Sequence, residues 1–364
     1  MKNSLLRLIL LLVALAFLFA QALPACSTFV LRKGNRLLFG RNFDFFTGNG
    51  MIMVNPHGLI KTALVWPGEN PATWTSQYGS VTFNQVGREF PMGGMNEAGL
   101  VVEMMWLKEA GYPQPDSRPA VMELQWIQYL LDTCSSIDEV RQSNDRVRIL
   151  PMGSRLHFLI LDRSGRALAV EFIDGRPLFY SGDELPVTAL TNKPYSLCLQ
   201  ALPEFQGFGG TKVVGTTIND PDRFATLAAA VRQPGPKRRL LERSFAILDQ
   251  VHCDFKESPT QWRFVYDPRR LEIHIRTRQS PNLRRVRLAD FSFDCAAGVK
   301  VLDLETPGGS NGDVGHAFGT YSKTVNERLM HETFAIYRKV GFQDLPEEYL
   351  SVMASYPDSL RSGQ

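Results

Sequence analysis

A cysteine stands where an apolar leader ends and a β-hairpin begins, and that junction limits what the chain can be. Residues Leu8 to Ala20 form a continuous apolar run behind Lys2 and Arg7. A basic start, a short apolar core and small residues after it read as a secretory signal peptide, too short with its flanks for a comfortable membrane span. Cleavage after Ala22 fits the small-x-small rule best. Cleavage after Ala25 leaves Cys26 as the first residue. The stretch that follows, "STFVLRKGNRLLFGRNFDF", has two β-rich runs around Lys33-Gly34-Asn35, a hairpin signal. Either Cys26 is a lipid-attachment site, for which "LPAC" resembles a lipobox, or it is residue one of an enzyme.

Composition narrows the class. Removing Lys2 and Arg7 with the leader takes 40 basic residues to 38 against 37 acidic ones, a net charge of +1. A near-neutral chain gives no reason to invoke nucleic acid. The basic cluster from Arg269 to Arg287 alternates as a solvated strand face does. Export to an oxidising compartment permits disulfides. Five cysteines, however, leave at least one unpaired. If that one is Cys26, then Cys134, Cys198, Cys253 and Cys295 either form two bridges or stay reduced. No C-x-x-C spacing and no metal-ligand pattern among the six histidines points to a metal. No cofactor is expected.

Along the chain, elements come in blocks. Strands fill the region up to "MNEAGLVVEMMWL". Helices follow in "AVMELQWIQYLLDTC", with Met122, Trp126, Tyr129 and Leu130 on one face, and in "SSIDEVRQSND", capped by Ser135 or Ser136. Strands return in "LHFLILDRSGRALAVEFIDGRPLFY". Residues 222–233 and 237–252 read as helices, and "QWRFVYDPRRLEIHIRT" as a hairpin. Gly308 to Gly315 reads as a loop, and the helix "TVNERLMHETFAIYRKVGF" closes the chain. Blocks rather than strict alternation argue for α+β with mostly antiparallel sheets. Length alone favours two domains. Large layered sheets run longer as one unit, and the expectation is a leader, 1–25, followed by one domain, 26–364.

A chain-terminal cysteine carries a thiol and a free α-amine on one residue. The amine titrates near ~7.7–8.0 when unperturbed and can take the thiol proton, so no histidine is needed. A nearby cation favours the thiolate. Arg41 suits that role if the hairpin folds its second strand beside the first, and Asp44 suits holding the amine.

Those residues carry a resemblance. Cys26, the hairpin and Gly40-Arg41-x-x-Asp44 resemble the start of the choloylglycine hydrolase and penicillin V acylase family of N-terminal-nucleophile hydrolases. "NEAGL" at Asn96 to Leu100, "LTNKP" around Asn192 and "DRFATL" around Arg223 are similar to further family motifs in the same order. The resemblance implies a four-layer αββα sandwich, with two mostly antiparallel sheets between helices, and hydrolysis of linear carbon–nitrogen amide bonds. It implies Cys26 as nucleophile and its amine as base, with Arg41 and Arg223 supporting the ionised sulfur and polar substrate. It implies Asp44 orienting the amine, and an oxyanion hole made by the Asn192 side chain and the Leu107 backbone N–H. Where the family shows a tyrosine or asparagine pair this chain has Trp106 and Leu107. Trp106, Met104 and Met51 suggest an apolar acyl pocket, or core.

The substrates implied are small N-acyl amides: penicillin V, conjugated bile salts or N-acyl homoserine lactones. The leader tilts the choice toward a periplasmic or secreted acylase of the Gram-negative branch, with no membrane span after cleavage. Family members are commonly homotetramers. The alternatives are an acid-ceramidase-like amidase, whose cysteine usually lies behind a long propeptide absent here, and a non-enzymatic lipoprotein lipidated at Cys26.

Overall fold

The computed structural model describes residues 26–305, 312–342 and 345–363. The leader and part of the Gly308 to Gly315 loop lie outside the described residues.

The hairpin forms as its sequence predicts. Strand β1 (Ser27–Lys33) pairs antiparallel with β2 (Arg36–Asp44) through a turn in which Gly34 has φ +58°. Phe29 faces Gly40 across the pair, and a Cβ at Gly40 would lie 2.3 Å from the Phe29 ring. Close approach of ring to backbone therefore requires glycine at that position.

This hairpin supplies the second and third strands of a seven-stranded sheet. Its order is β10 (Ala189–Leu190), β1, β2, β11 (Thr260–Asp267), β12 (Glu272–Thr277), β13 (Arg284–Arg287) and β15 (Gly312–Asp313). Only the β13–β15 pair is parallel. The second sheet has nine strands, all antiparallel. Its order is β9 (Arg176–Ser181), β8 (Ala167–Ile173), β7 (Leu156–Leu161), β6 (Val101–Trp106), β5 (Pro91–Asn96), β4 (Ser80–Asn84), β3 (Met51–Asn55), β14 (Lys300–Asp303) and β16 (Gly319–Thr320).

The two sheets face each other across aromatic rings. Phe83 of β4 stacks on Phe264 of β11 with centroids 3.9 Å apart, a contact geometry aromatic pairs favour. Helix α1 (Glu123–Thr133) covers β5 and β6, and α2 (Ile137–Arg146) follows it. Ser136, not Ser135, caps α2: its side chain accepts from the Glu139 N–H in a capping box. After the short α3 (Tyr195–Ala201), helices α4 (Asp222–Arg232) and α5 (Leu240–Gln250) cover β1 and β2 from the other side. The order helix, sheet, sheet, helix is the αββα sandwich expected. All five cysteines are free thiols, so neither of the two possible bridges forms.

Two features depart from the sequence reading. The helix α6 (Lys323–Lys339) does not close the chain, because α7 (Glu347–Ser355) follows it and packs on it. Helix α1 is buried nearly all round rather than on one face; its polar residues meet partners inside the fold, Gln125 accepting the Leu64 N–H, Gln128 donating to the Ser80 hydroxyl and Asp132 accepting the Trp74 indole N–H.

Candidate active site

Strand register assembles the site. Continuing the β1–β10 register, in which Thr28 faces Leu190, sets Asn192 opposite Cys26. Arg41 and Asp44 leave β2 one short step away. Arg223 enters from the first turn of α4.

The Cys26 side chain is buried, 2% exposed. Its Sγ lies 3.8 Å from the Asp44 carbonyl oxygen and 3.9 Å from Arg41 Nη2. Burial pushes the thiol pKa up, and the Arg41 charge pulls it back. Arg41 is itself held: its Nε lies 2.6 Å from Glu103 Oε2, across the gap between the sheets. The Tyr266 hydroxyl donates to the other Glu103 oxygen. Burial raises Glu103 to about 7 against the pull of Arg41.

Asp44 accepts from the Thr260 hydroxyl through Oδ1, while the buried Oδ2 has no partner among the described residues. Burial raises Asp44 to about 6. Asn192 is fixed on three sides. Its N–H donates to Asp220 Oδ2 at 3.0 Å, its Nδ2 donates to the Trp106 carbonyl at 2.8 Å, and its Oδ1 accepts from Arg223 Nη2 at 2.8 Å. Arg223 also pairs with Asp220 at 2.9 Å. Arg41 Nη1 and Arg223 Nη1 are buried donors without partners among the described residues. Buried donors and acceptors are normally satisfied, so these spare groups mark where a polar ligand or terminus belongs.

Leu107 does not fit the backbone role assigned to it. Its N–H donates to the Arg155 carbonyl at 2.9 Å, continuing the β6–β7 ladder, and is not free. Backbone direction alternates along a strand. The Trp106 N–H therefore turns to the other side, the side on which the Trp106 carbonyl meets Asn192.

Cys26 opens into an apolar cavity. Its walls are Phe43 and Phe45 near the hairpin, Met92, Met104 and Trp106 of the second sheet, and Phe334, Tyr337, Phe342, Leu345, Tyr349 and Met353 of the C-terminal segment. Met104 and Trp106 thus line it as expected. Met51 does not: it packs with Met53, Val299, Val301 and Leu329 in a separate apolar cluster. Sequence reasoning missed Glu103, Thr260, Asp220 and Tyr266, which hold the catalytic candidates from distant strands and loops. "NEAGL" turns out to be architectural. Asn96 Nδ2 donates to the Leu131 and Cys134 carbonyls at 2.9 and 2.7 Å and so ties the turn to the end of α1.

Residues 26–247 match the family model of linear amide C–N hydrolases, choloylglycine hydrolase family. The chain belongs to this family. It is similar to penicillin V acylase of Pectobacterium atrosepticum, 26% identical over 280 residues, which cover 65% of this chain and 73% of that protein. The structure superposes on penicillin V acylase from Agrobacterium tumefaciens with a TM-score of 0.71 at 25% identity, covering 82% of this chain and 98% of that one. It also superposes on a variant of conjugated bile acid hydrolase from Clostridium perfringens with a TM-score of 0.66 at 18% identity, covering 79% and 99%. The second likeness speaks for the shared Ntn-hydrolase fold. As a family member the chain is a linear amide hydrolase.

Proposed function

We propose that the protein is an N-acyl amide acylase whose nucleophile is Cys26, freed as the first residue by removal of residues 1–25. The observation that carries this reading is the position of Cys26 at the boundary of two environments. On one side lie Arg41, Asp44, Asn192 and Arg223; on the other lies the apolar cavity. The family match, which begins at Cys26, supports it.

The chemistry follows from the groups present. The α-amine of Cys26 takes the thiol proton, and Asp44 Oδ2 accepts from that amine and aims it. The sulfur attacks the acyl carbon. The Asn192 amide and the Trp106 N–H donate to the oxygen that becomes negative; one such donor is typically worth ~2.7–4 kcal/mol in the transition state. The amine returns the proton to the leaving nitrogen, the C–N bond breaks, and an acyl thioester remains on Cys26. Water then cleaves the thioester, giving the carboxylic acid and the free thiol.

The cavity favours a large apolar acyl group, and the spare Arg41 and Arg223 donors favour a polar or anionic leaving part. Penicillin V, conjugated bile salts and long N-acyl homoserine lactones share that design. Because Cys26 must be freed by export processing, the proposed location is the periplasm or the exterior. The test is intact-mass analysis of the exported protein before and after mixing with penicillin V. A chain starting at Cys26 that gains a phenoxyacetyl mass, with both the gain and turnover lost in Cys26→Ala, is the expected result. Turnover in Cys26→Ala, or a diacylglyceryl mass on Cys26, overturns it.

A further inference from the structure

The residue before Asn192 is held by a histidine that no step above uses. His157 lies on β7, fully buried, directly across from Glu171 on β8. Its Nε2 is 2.7 Å from the Thr191 carbonyl oxygen, and its Nδ1 is 3.0 Å from Glu171 Oε1. A carbonyl oxygen can only accept, so Nε2 carries a hydrogen. At Nδ1 the proton sits on the ring or on the acid. Both arrangements hold the same number of protons, and both leave the Nε2–H on Thr191.

Glu171 Oε1 also accepts the Tyr195 N–H at 2.9 Å. The His157–Glu171 pair therefore grips residues 191–195 at both ends, one contact before Asn192 and one after it. Within this grip the Asn192 amide has its three contacts to Asp220, Trp106 and Arg223. The Thr191 carbonyl and the Asn192 N–H belong to the one peptide group that joins residue 191 to residue 192, held by His157 at its oxygen and by Asp220 at its nitrogen. A shift there moves the Asn192 backbone directly.

We propose that His157 is a positioning residue for hydrolysis. Acting through the Thr191 carbonyl, it fixes the Asn192 amide where the oxyanion forms. The proposal rests on the reading of Asn192 as an oxyanion donor. A buried pair that only stabilises the fold predicts a lower melting temperature and unchanged chemistry in the folded enzyme. A positioning role predicts a loss of kcat, because misplacement by about 1 Å costs about 100-fold.

Two substitutions separate these roles. His157→Gln keeps an N–H near the Nε2 position, within reach of Thr191. His157→Asn keeps one near Nδ1, facing Glu171, and leaves Thr191 without its donor. Both are assayed below their melting temperatures, beside Asn192→Ala, with penicillin V. The probe for the oxyanion site is phenoxyacetaldehyde, which forms a tetrahedral adduct with the thiol; 2-phenoxyethanol, which cannot, is the control. The expected result is a kcat loss of about 100-fold in His157→Asn with KM within about twofold, and recovery of at least about tenfold of it in His157→Gln. Aldehyde affinity should follow kcat, and alcohol affinity should not. Equal kcat in the Asn and Gln variants overturns the proposal, as does aldehyde affinity that stays at the wild-type value. If Asn192→Ala keeps full kcat, the oxyanion reading falls and this proposal with it. If Asn192→Ala is slow while both His157 variants keep wild-type kcat, only this proposal falls.

Discussion

Asp44 is the residue whose surroundings make the sharpest demand. Its Oδ2 is buried without a partner among the described residues, and burial holds its pKa up at about 6. The carboxylate must be ionised to accept from the Cys26 amine. Activity should therefore rise with pH through an acid limb at about 6, moved lower in the processed chain by the adjacent ammonium charge. Asp44→Asn removes the titrating group. The kcat/KM profile should lose that limb along with most of its height, and an unchanged limb in the variant would rule Asp44 out as its source. Glu103 makes a second demand. It holds Arg41 Nε at 2.6 Å, and Glu103→Gln replaces the ionic contact with an amide that points either a donor or one acceptor at Arg41. The expected result is a fall in kcat/KM of about tenfold or more with little change in melting temperature, measured by steady-state kinetics beside a thermal melt. A variant with wild-type kcat/KM would leave Arg41 positioned by other means. Of these two residues the sequence disclosed only Asp44, because it sits in a short local motif. Glu103 reads as one acid in an apolar strand, and its partner on β2 is 62 positions away in the chain.

At the scale of elements, local signals were legible and long-range ones were not. The hairpin followed from a turn with glycine at positive φ, and the α2 cap from serine followed by glutamate. Leu107 failed because a one-residue slip along a strand reverses the direction of the N–H. Met51 failed because both faces of β3 are apolar, so composition could not say which one meets the cavity. Helix α7 failed because nine residues after a proline carry too little periodicity. Its anchoring shows what it does. Asn326 of α6 accepts the Arg88 N–H at 2.8 Å and donates to the Ala354 carbonyl of α7 at 3.1 Å. One side chain thus ties the 85–90 loop to both C-terminal helices, and Val86 and Phe90 of that loop line the cavity. Asn326→Ala leaves both backbone groups without this partner, at about 1–3 kcal/mol each. Hydrogen exchange should quicken in α6, α7 and the loop ahead of the sheets. Uniform quickening across the sheets would show instead that the tie serves the whole fold.

For the whole molecule, buried acids set the response to pH. Burial raises both Glu103 and Glu123 to about 7. Their folded values lie above the unfolded ones, so the folded state binds more protons. Their contribution to stability is complete below about pH 4 and is lost as pH rises through about 7. His274, lowered to about 4 by burial, works the other way, but only below its unfolded value of about 6.5. Glu305, also raised to about 7 by burial, adds to Glu103 and Glu123, and the melting temperature should fall between about pH 6.5 and 8. The decline should be shallower in Glu123→Gln; an equal decline would place the titrating groups elsewhere. The cavity belongs to this scale as well, since Phe334, Tyr337, Phe342, Leu345, Tyr349 and Met353 near the end of the chain line it together with Cys26, Phe43 and Phe45 near the start of the described residues. Phe342→Ala should raise kcat/KM for acyl chains longer than the wild type accepts, read from a ladder of N-acyl amides. An unchanged length preference would put the limit elsewhere in the wall.

The buried start of β1 has a final consequence. Cys26 is 2% exposed and forms part of the cavity wall, so the proposed chemistry needs its α-amine free at that buried position. On the proposed mechanism an unprocessed chain lacks the free α-amine and is a zymogen, and the number of working enzymes in a preparation should equal the number of trimmed ends. Titration with a thiol-acylating probe would count maturation rather than folding. Two preparations with the same melting curve could differ in specific activity by whatever fraction of their first residues had been uncovered.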